Sequence, residues 1–276
     1  MNNFERTKPL VSVCIPSWFE PGQHGRHGEN ETFFIADKCL DRLVETIASY
    51  RDSVEIIIVD NGSTLEGTEE YFKKADIVIR NPFNLGFAPA MNQSLNMARG
   101  KYVIAMNNDI LVIGNNWIDK LLEIFEKEFH PPVGLAMPNL IRKEYQKDCV
   151  GDNGKIDFNK VLQLKEEEVI LRHSDKYDTS AEFGSMFVLK RSLLEKIREI
   201  NGGYEVYNER FKVGFGEDRY LYHQVRKLGF ETYRTNKLRV CHVGGMSMSK
   251  LKDKPGVREL IDENRKYLET LKNETK

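Results

Sequence analysis

The 276-residue chain has no long hydrophobic run. Its start, MNNFERTKPLVSVCIP, contains no apolar stretch as long as that of a signal peptide, and no later window approaches the roughly 20 apolar residues that span a bilayer. These absences predict a cytoplasmic protein with no transmembrane segment. They leave room for peripheral association with the inner face of a membrane.

An excess of charge of one sign is also missing. The chain has 41 Lys and Arg against 42 Asp and Glu, a net charge of -1, and no long run of either sign. A general nucleic-acid binder needs a basic surface. We therefore expect no nucleic-acid partner, and we expect any anionic ligand to be held by a local site.

The cysteines lack the Cys-x-x-Cys spacing that is typical of zinc and redox sites. They are Cys14, Cys39, Cys149 and Cys241, and two of them interrupt apolar runs, where a thiol packs as a small hydrophobic group. The pattern predicts neither a disulfide framework nor a zinc knuckle.

The chain does contain a regular alternation of buried strands and amphipathic helices. Strands and helices in alternation form a mostly parallel, Rossmann-like sheet flanked by helices, which is an α/β fold. The second half is less regular and predicts a smaller mixed region, with a polar stretch at 139–180 that has no assigned structure. Apolar β-branched runs predict strands at 10–15 (closed by Pro16), 54–60, 76–80, 101–106, 133–138, 182–190 and 232–240. Helical spacing predicts helices near 36–47, 66–74, 87–98, 192–200, 217–228 and 257–271, and another that begins near Trp117.

Polar clusters follow two of the predicted strands. Ligands of an open parallel sheet bind beyond the carboxyl ends of its strands. Asp60 and Asn61 leave the strand 54–60 together and could bind a base edge or ribose hydroxyls. The same residues also fit an ordinary turn followed by a helix cap.

The second cluster, Asn107-Asn108-Asp109, follows the strand 101–106. Oxygen ligands on a rigid strand suit a hard divalent cation, and such a cation would offset the charge of a diphosphate in a chain with almost no net charge. Three polar residues after a strand are also common in turns. Asp109 alone supplies charge here, so the affinity for a cation is expected to depend on the phosphates of a ligand.

Two later segments carry further candidates. Glu217 and Asp218 open a predicted helix, whose dipole favours ionised carboxylates, and a positioned carboxylate can remove the proton of an alcohol. The pair could equally serve only to complement the dipole. His242 ends a late strand before two glycines, and its imidazole could bind a metal or have a structural role.

Taken in order, these segments resemble the family 2 glycosyltransferases, particularly the bacterial rhamnosyltransferase-like members that build surface polysaccharides. Six segments carry the resemblance. They are VSVCIP (first strand), EIIIVDNGST (nucleoside-binding strand and loop), NPFNLGFAPAMNQSLNMARGKYVIAMNND (ending at the metal motif), GFGEDRYLYHQVRKLGF (acid-pair helix), RVCHVGG (metal-binding histidine) and ENRKYLETLK (closing helix).

The resemblance implies a GT-A fold and an inverting, metal-dependent transfer of a sugar from a nucleotide-diphosphate sugar to an acceptor hydroxyl. The acceptor would be a glycan or a lipid-linked glycan, and the cation Mg²⁺ or Mn²⁺. The implied organisation is one catalytic domain at 1–245, with a nucleotide-binding half at 1–110 and an acceptor-binding half at 111–245. A C-terminal helical segment at 246–276 would pack on it.

The resemblance also implies roles for individual residues. Asp109 and His242 would hold the cation. Asp218 would be the general base, with Glu217 beside it to orient the acceptor or the base. Gly184 and Ser185 would line the acceptor side. Donor binding would fall to Pro16, Asp60, Asn61, Asn84, Gly86 and Asn107.

One insertion departs from the family pattern. After Pro16 the chain continues with SWFEPGQHGRHGENET, whereas family members pass quickly into their first helix. We expect a mobile loop that covers the donor or contacts the acceptor. A second metal site at His24 and His27 is a less favoured interpretation.

Two other functions are compatible with the same pattern. A sugar-phosphate nucleotidyltransferase also uses an α/β nucleotide-binding sheet, but the chain shows no glycine-rich loop with a nearby Arg after its first strand to hold a triphosphate. A non-catalytic nucleotide- or carbohydrate-binding module on the same scaffold is the other alternative, because a fold does not determine an activity.

Overall fold

A computed structural model describes residues 8–23, 31–140, 157, 159–160, 172–173, 184–211, 216–242 and 256–273. Several predictions concern residues outside these ranges. They involve His24 and His27 of the insertion, Cys149, and most of the polar stretch 139–180. No helix within the described ranges has the length and apolar character needed to cross a membrane.

The predicted strands and helices are confirmed, with shifts of a few residues at their ends. Two short strands, β5 and β7, were not predicted. The strands are β1 (Val11–Ser17), β2 (Val54–Asp60), β3 (Ile77–Arg80), β4 (Tyr102–Met106), β5 (Ile110–Val112), β6 (Val133–Leu140), β7 (Arg172–His173), β8 (Met186–Lys190) and β9 (Glu231–His242). The α-helices are α1 (Glu31–Thr46), α2 (Glu69–Phe72), α3 (Phe87–Met97), α4 (Trp117–Leu122), α5 (Arg191–Ile200), α6 (Glu217–Lys227) and α7 (Val257–Asn273).

The first four strands form the parallel part of the sheet, in the order β3-β2-β1-β4. The strand β1 pairs in parallel with β2 from Val11 to Ser17, and Ser17 lies opposite Asp60. The two strands therefore end level with each other. Residues that follow them emerge at one edge, where the sequence predicts the binding site.

The prediction that the first strand closes at Pro16 is wrong by one residue. Pro16 lies within β1, opposite Val59. The pairing of β1 with β4 extends only to Cys14, so Pro16 has a strand partner on the β2 side only. A proline lacks a backbone donor and is tolerated where one side of a strand is not paired.

Beyond β4 the sheet is mixed and continues β4-β8-β6-β9-β5, with β7 paired to β9. This is the smaller mixed region expected from the second half of the sequence. The strand β8 runs antiparallel to β4, so that Met186 at its start lies opposite Met106 at the end of β4. The two residues that precede β8, Gly184 and Ser185, therefore lie at the same edge as the ends of β1, β2 and β4.

The far end of the sheet must curl back toward β4. In a flat sheet, four strand spacings would separate β4 from β5 by about 19 Å. The four peptide units between Met106 and Ile110 reach at most about 15 Å. The helix α1 packs against β5, which is consistent with this curl. The curl keeps Asp109, which directly precedes β5, close to the carboxyl edge of the parallel strands.

Helices cover the sheet on both faces because successive strand residues point to opposite sides. Ile56 and Ile58 of β2 pack in a core with α1 and α4, whereas Ile57 packs in a second core with α3, α5 and α6. The cysteines Cys14, Cys39 and Cys241 are buried, which agrees with the prediction that a cysteine within an apolar run packs as a small hydrophobic group.

Candidate active site

Asp60 is held rigidly at the end of β2. Its side chain is 6% exposed, its Oδ1 accepts a hydrogen bond from the Ser63 amide (2.9 Å), and its Oδ2 pairs with Arg80 Nη1 (2.7 Å). The Arg80 side chain is 59% exposed and its guanidinium lies 5.0 Å from the centre of the Phe72 ring. Arg80 therefore brings a positive charge to the predicted donor side.

The sequence carries one signal for Arg80, which was not among the predicted site residues. Arg80 is the last residue of β3, and β3 is parallel to β2 with Arg80 directly opposite Asp60. A cation at the carboxyl end of a parallel strand is in a position to meet an anionic ligand.

Asn61 connects the loops that follow β2 and β3. Its Nδ2 donates hydrogen bonds to Asn84 Oδ1 (2.9 Å) and to the carbonyl oxygen of Gly86 (3.0 Å). Its Oδ1 accepts from Asn81 Nδ2 (3.0 Å) and from the Leu85 amide (3.1 Å). Both the nitrogen and the oxygen of the Asn61 side-chain amide are thus hydrogen-bonded within the protein. The structure places Asn61 as a support of the two loops, and a direct contact with a nucleotide would have to replace one of these bonds.

Close approach of the two loops also requires Gly62. It has φ +80°, and a methyl group at this position would lie 2.5 Å from Phe83 Cα and 2.8 Å from the Asn84 amide nitrogen. We expect Gly62→Ala to destabilise the fold by about 3 kcal/mol or more, because the left-handed backbone and the clash with backbone atoms both contribute. Denaturant unfolding measures this loss.

Gly67 provides a matched control for that substitution. It has the same φ of +80°, but a methyl group there would meet nothing within 4 Å. Gly67→Ala should therefore cost only the backbone strain, about 1–2 kcal/mol. Equal losses at the two positions would show that the contact between the loops does not matter.

Asn84 and Gly86 shape the entry to α3. Asn84 Oδ1 accepts a hydrogen bond from the Gly86 amide (2.8 Å), and Gly86 has φ +97° as the residue before the helix. Next to them, the Phe83 side chain is 63% exposed. A second aromatic residue, Trp18, directly follows β1 and is half-buried. Both rings lie at the end of the sheet where a base would bind.

Asn107 and Asp109 follow β4 as predicted. The backbone N–H of Asn107 donates a hydrogen bond to the Ser185 carbonyl oxygen (2.9 Å). The side-chain Oδ1 of Asn107 is buried and accepts no hydrogen bond from any residue that the structure describes. Asp109 is 8% exposed, and its Oδ1 lies 3.3 Å from His242 Nε2. The pairing of β5 with β9, in which Ile110 lies opposite His242, brings these two residues together.

The pair of Asp109 and His242 suits a cation site. A carboxylate oxygen and an imidazole nitrogen that face each other at 3.3 Å require a shared proton or cation, since their lone pairs otherwise repel. No group of three His, Cys, Asp or Glu side chains with metal-binding geometry occurs in the described part of the chain. Within the described residues, this pair would supply two ligands of this type, and oxygens of a bound diphosphate could supply others.

Asp218 lies in the first turn of α6, after Gly216 with φ +121°. Its side chain is half-buried, and its Oδ1 is inaccessible and accepts no hydrogen bond from a described residue. Burial raises the pKa of Asp218 to about 7, an effect that the charge of Arg219 partly opposes. A carboxyl group with this pKa changes its protonation state near neutral pH, as a general base should. Glu217 precedes it and is buried.

Gly184 lies directly against Asp218. A methyl group at position 184 would be 2.8 Å from Asp218 Oδ1 and nearer still to its Cγ and Oδ2. Since Ser185 accepts the hydrogen bond from Asn107, the segment 184–185 connects the candidate base to the loop that carries Asp109. The structure thus brings the predicted acceptor residues together with Asp218 and the end of β4.

A buried amide on α3, Asn92, fixes the loop before α6. Its Oδ1 accepts hydrogen bonds from the amides of Val206 (3.0 Å) and Tyr207 (2.9 Å), and its Nδ2 donates to the Tyr207 carbonyl oxygen (2.8 Å). Asn92 was not among the predicted site residues, although a polar residue on the buried face of an amphipathic helix signals such a role. The same loop contacts α7, where Tyr267 Oη accepts from Asn208 Nδ2 (3.1 Å).

Pro16, the remaining predicted donor residue, is half-buried in β1 one residue before the strand ends. The predicted residues form three groups. One is built on Asp60 and Asn61, one on Asp109 and His242, and one on Gly184 and Asp218. The groups lie at the ends of different strands of one sheet, and the loop from Asn107 to Asp109 joins the last two groups.

Comparison with known proteins identifies the family. Residues 30–198 match the family described as Glycosyl transferase family 2. The chain belongs to this family. An uncharacterized glycosyltransferase of Haemophilus influenzae is 31% identical over 147 residues, which is 51% of this chain and 39% of that protein. The family 2 chain thus matches about two fifths of that relative's length.

Solved structures confirm the GT-A fold of this family 2 chain. The mannosyltransferase PcManGT of Pyrobaculum calidifontis, in complex with GDP-Man and Mn²⁺, aligns with a TM-score of 0.51 at 17% identity over 95% of this chain and 71% of its own. GalNAc-T7, with UDP, GalNAc and Mn²⁺, aligns with a TM-score of 0.56 at 16% identity over 94% of this chain and 50% of its own. At these identities the likeness concerns the fold.

Proposed function

We propose that this family 2 protein is an inverting, metal-dependent glycosyltransferase that moves one sugar from a nucleotide-diphosphate sugar to an acceptor hydroxyl. The observation that carries the proposal is the arrangement at one edge of the sheet. There a half-buried carboxyl group with a pKa of about 7 is joined, through Ser185 and Asn107, to the loop that bears the Asp109 and His242 pair.

The donor would bind at the ends of β1, β2 and β3. Asp60 is fixed with its carboxylate toward this edge and could accept hydrogen bonds from the base or ribose. Trp18 and Phe83 offer rings for stacking on the base, and Arg80 offers a charge for the phosphates. Asn84, Gly86, Pro16 and Asn107 would shape the pocket, while Asn61 would hold its two loops together.

Asp109 and His242 would hold the divalent cation together with oxygens of the diphosphate. The presence of Mn²⁺ in the PcManGT and GalNAc-T7 structures makes Mn²⁺ the first candidate, with Mg²⁺ as the alternative. When bound, the cation would stabilise the negative charge that develops on the departing diphosphate. The buried Oδ1 of Asn107 points to the same need for a polar or cationic partner in this loop.

Asp218 would act on the acceptor. The acceptor hydroxyl oxygen forms a bond to the anomeric carbon, the bond from that carbon to the diphosphate oxygen breaks, and the hydroxyl proton passes to Asp218. Attack from the face opposite the leaving group inverts the anomeric configuration. Glu217 would orient the acceptor or the base, and Gly184 and Ser185 would line the acceptor side. We expect the acceptor to be a glycan or a lipid-linked glycan.

This assignment divides the domain 1–245 as the sequence predicts. The half 1–110 contains β1 to β4 and the donor loops, and the half 111–245 contains β8 and α6 with the acceptor side. The segment 246–276, whose helix α7 contacts the loop before α6, would support the acceptor half. The cytoplasmic location expected from the sequence stays a prediction.

A screen of nucleotide-diphosphate sugars by thermal unfolding tests the proposal. A true donor at about 100 times its dissociation constant should add about 2.7 kcal/mol of stability, or roughly 5 °C, in the presence of Mn²⁺. The shift should vanish with EDTA. Stabilisation by a nucleoside triphosphate and a sugar phosphate, with release of pyrophosphate, would instead support a nucleotidyltransferase. Donor stabilisation without any transfer would indicate a binding module.

A further inference from the structure

The carboxyl group of Asp218 lies unusually close to the position that a side chain at Gly184 would occupy. A Cβ atom in real proteins essentially never approaches another atom closer than 3.0 Å, and a methyl group at position 184 would violate this limit with three atoms, all of the Asp218 carboxyl group. The carboxyl group therefore occupies the space that any side chain at position 184 would fill.

The backbone of Gly184 gives no other reason for a glycine. Its φ lies outside the left-handed region, unlike that of Gly62 or Gly216. An alanine at position 184 would thus meet none of the strain that a left-handed backbone imposes. The neighbours that would have to give way belong to one side chain and not to the backbone.

We propose that Gly184 is a positioning residue, whose missing side chain lets the Asp218 carboxylate lie against the 184–185 segment and face the acceptor. This inference rests on the proposed role of Asp218 as the general base. It assigns to Gly184 a role through Asp218, in addition to the lining of the acceptor side that the family resemblance implies.

The surroundings of Asp218 restrict where the carboxylate could move instead. Tyr207 is fully buried, and burial followed by the charges of Asp218 and Glu217 raises the pKa of its phenol. Arg219 adjoins Asp218 on α6 and acts on it with a positive charge. A displaced carboxylate would therefore leave the 184–185 segment, which we assign to the acceptor side, and become more exposed to solvent. Such a movement costs the fold little, because it involves the end of a side chain.

The expected effect on catalysis is large compared with this small effect on stability. A misplacement of about 1 Å in a catalytic group can lower a rate by about 10²-fold. We expect Gly184→Ala to reduce kcat by about 10²-fold or more, with Mn²⁺-dependent donor binding unchanged. A carboxylate that has moved toward solvent has a lower pKa, so the acid limb of the kcat profile should move from near pH 7 to lower pH. A purely structural role for Gly184 would not move this limb.

A double-mutant cycle with Asp218→Ala completes the test. If Gly184 acts through Asp218, Gly184→Ala should cause no further loss of kcat in the Asp218→Ala background. Should Gly184→Ala lower the melting temperature, Asp218→Ala should restore it, because the clashing group is removed. An additive loss of kcat, or an instability that Asp218→Ala does not relieve, would overturn the inference.

The cycle also separates this inference from the proposed function. Wild-type kcat in Gly184→Ala together with an inactive Asp218→Ala would overturn the positioning role and leave the base assignment intact. Full activity of Asp218→Ala would overturn the base assignment and the positioning role with it.

Discussion

Asp218→Asn should lower the rate of sugar transfer by about 10³- to 10⁴-fold, the upper part of the range for loss of a general base. The amide has nearly the shape of the carboxylate but cannot accept the acceptor proton. Donor binding should stay within about twofold of wild type, because Asp218 belongs to the acceptor side. Release of nucleoside diphosphate at saturating donor measures the first quantity, and calorimetric titration with donor and Mn²⁺ measures the second.

The pH dependence of the wild-type rate follows from the same residue. Burial raises the pKa of Asp218 to about 7, and only the ionised form can accept a proton. The rate should therefore fall as the pH drops through 7, and it should level off above that value. The residual rate of Asp218→Asn should lack this limb.

Asp262→Asn is a suitable control for the substitution. Asp262 lies on α7, its side chain is 62% exposed, and it pairs with Arg265 at 3.1 Å. The same chemical change there should leave both rate and donor affinity unaltered. Loss of activity in both variants, or wild-type turnover in Asp218→Asn, would contradict the role of Asp218.

Asp109→Ala should weaken donor binding and sugar transfer together, each by about 10²-fold or more. Asp109 is the acidic member of the pair with His242, and its removal leaves only the His242 side of that pair to bind the cation. The affinity of a diphosphate for the site then falls because its charge is less well offset. Titration of the donor at fixed Mn²⁺, and of Mn²⁺ at fixed donor, measures both losses.

Asp52→Ala provides the control for a lost acidic residue, since Asp52 is exposed in the turn before β2. It should bind donor and Mn²⁺ as the wild type does. His242→Ala should reproduce the defect of Asp109→Ala. If Asp109→Ala binds the donor with unchanged affinity and the same dependence on Mn²⁺, the pair does not hold the cation.

The parallel half of the fold could be predicted from the sequence because its signals are local. A fully buried strand such as β2 shows as a continuous apolar run, and its predicted range, 54–60, agrees with the observed one. Helices such as α3 and α6 show the apolar spacing of a half-buried helix. The polar clusters then follow from where these strands end, so the edge that carries the candidate site was also predictable.

The strand β5 illustrates what local patterns do not contain. It has three residues, which are too few to show a repeating pattern of apolar residues. It forms because Ile110 pairs with His242, which lies far along the chain. The role of Asn61 is a similar case. The sequence shows a polar residue after a strand, but only the folded chain shows that its amide bonds the next loop at both ends.

Gly184 shows the same limit for a single residue. The sequence places it before a strand in a segment that resembles the acceptor side of the family. That Asp218 fills the space beside it depends on a contact between α6 and the segment that precedes β8, which no local pattern encodes. Arg80, by contrast, was within reach of the sequence, since its position at the end of a parallel strand is a local feature.

The most direct measurement is the release of nucleoside diphosphate from the stabilising nucleotide sugar, followed with Mn²⁺ and with excess EDTA, together with the anomeric configuration of the product by NMR. We expect release only with Mn²⁺ and a product of inverted configuration. Turnover that persists in EDTA, or a product that retains the donor configuration, would contradict a single displacement at a metal-bound diphosphate.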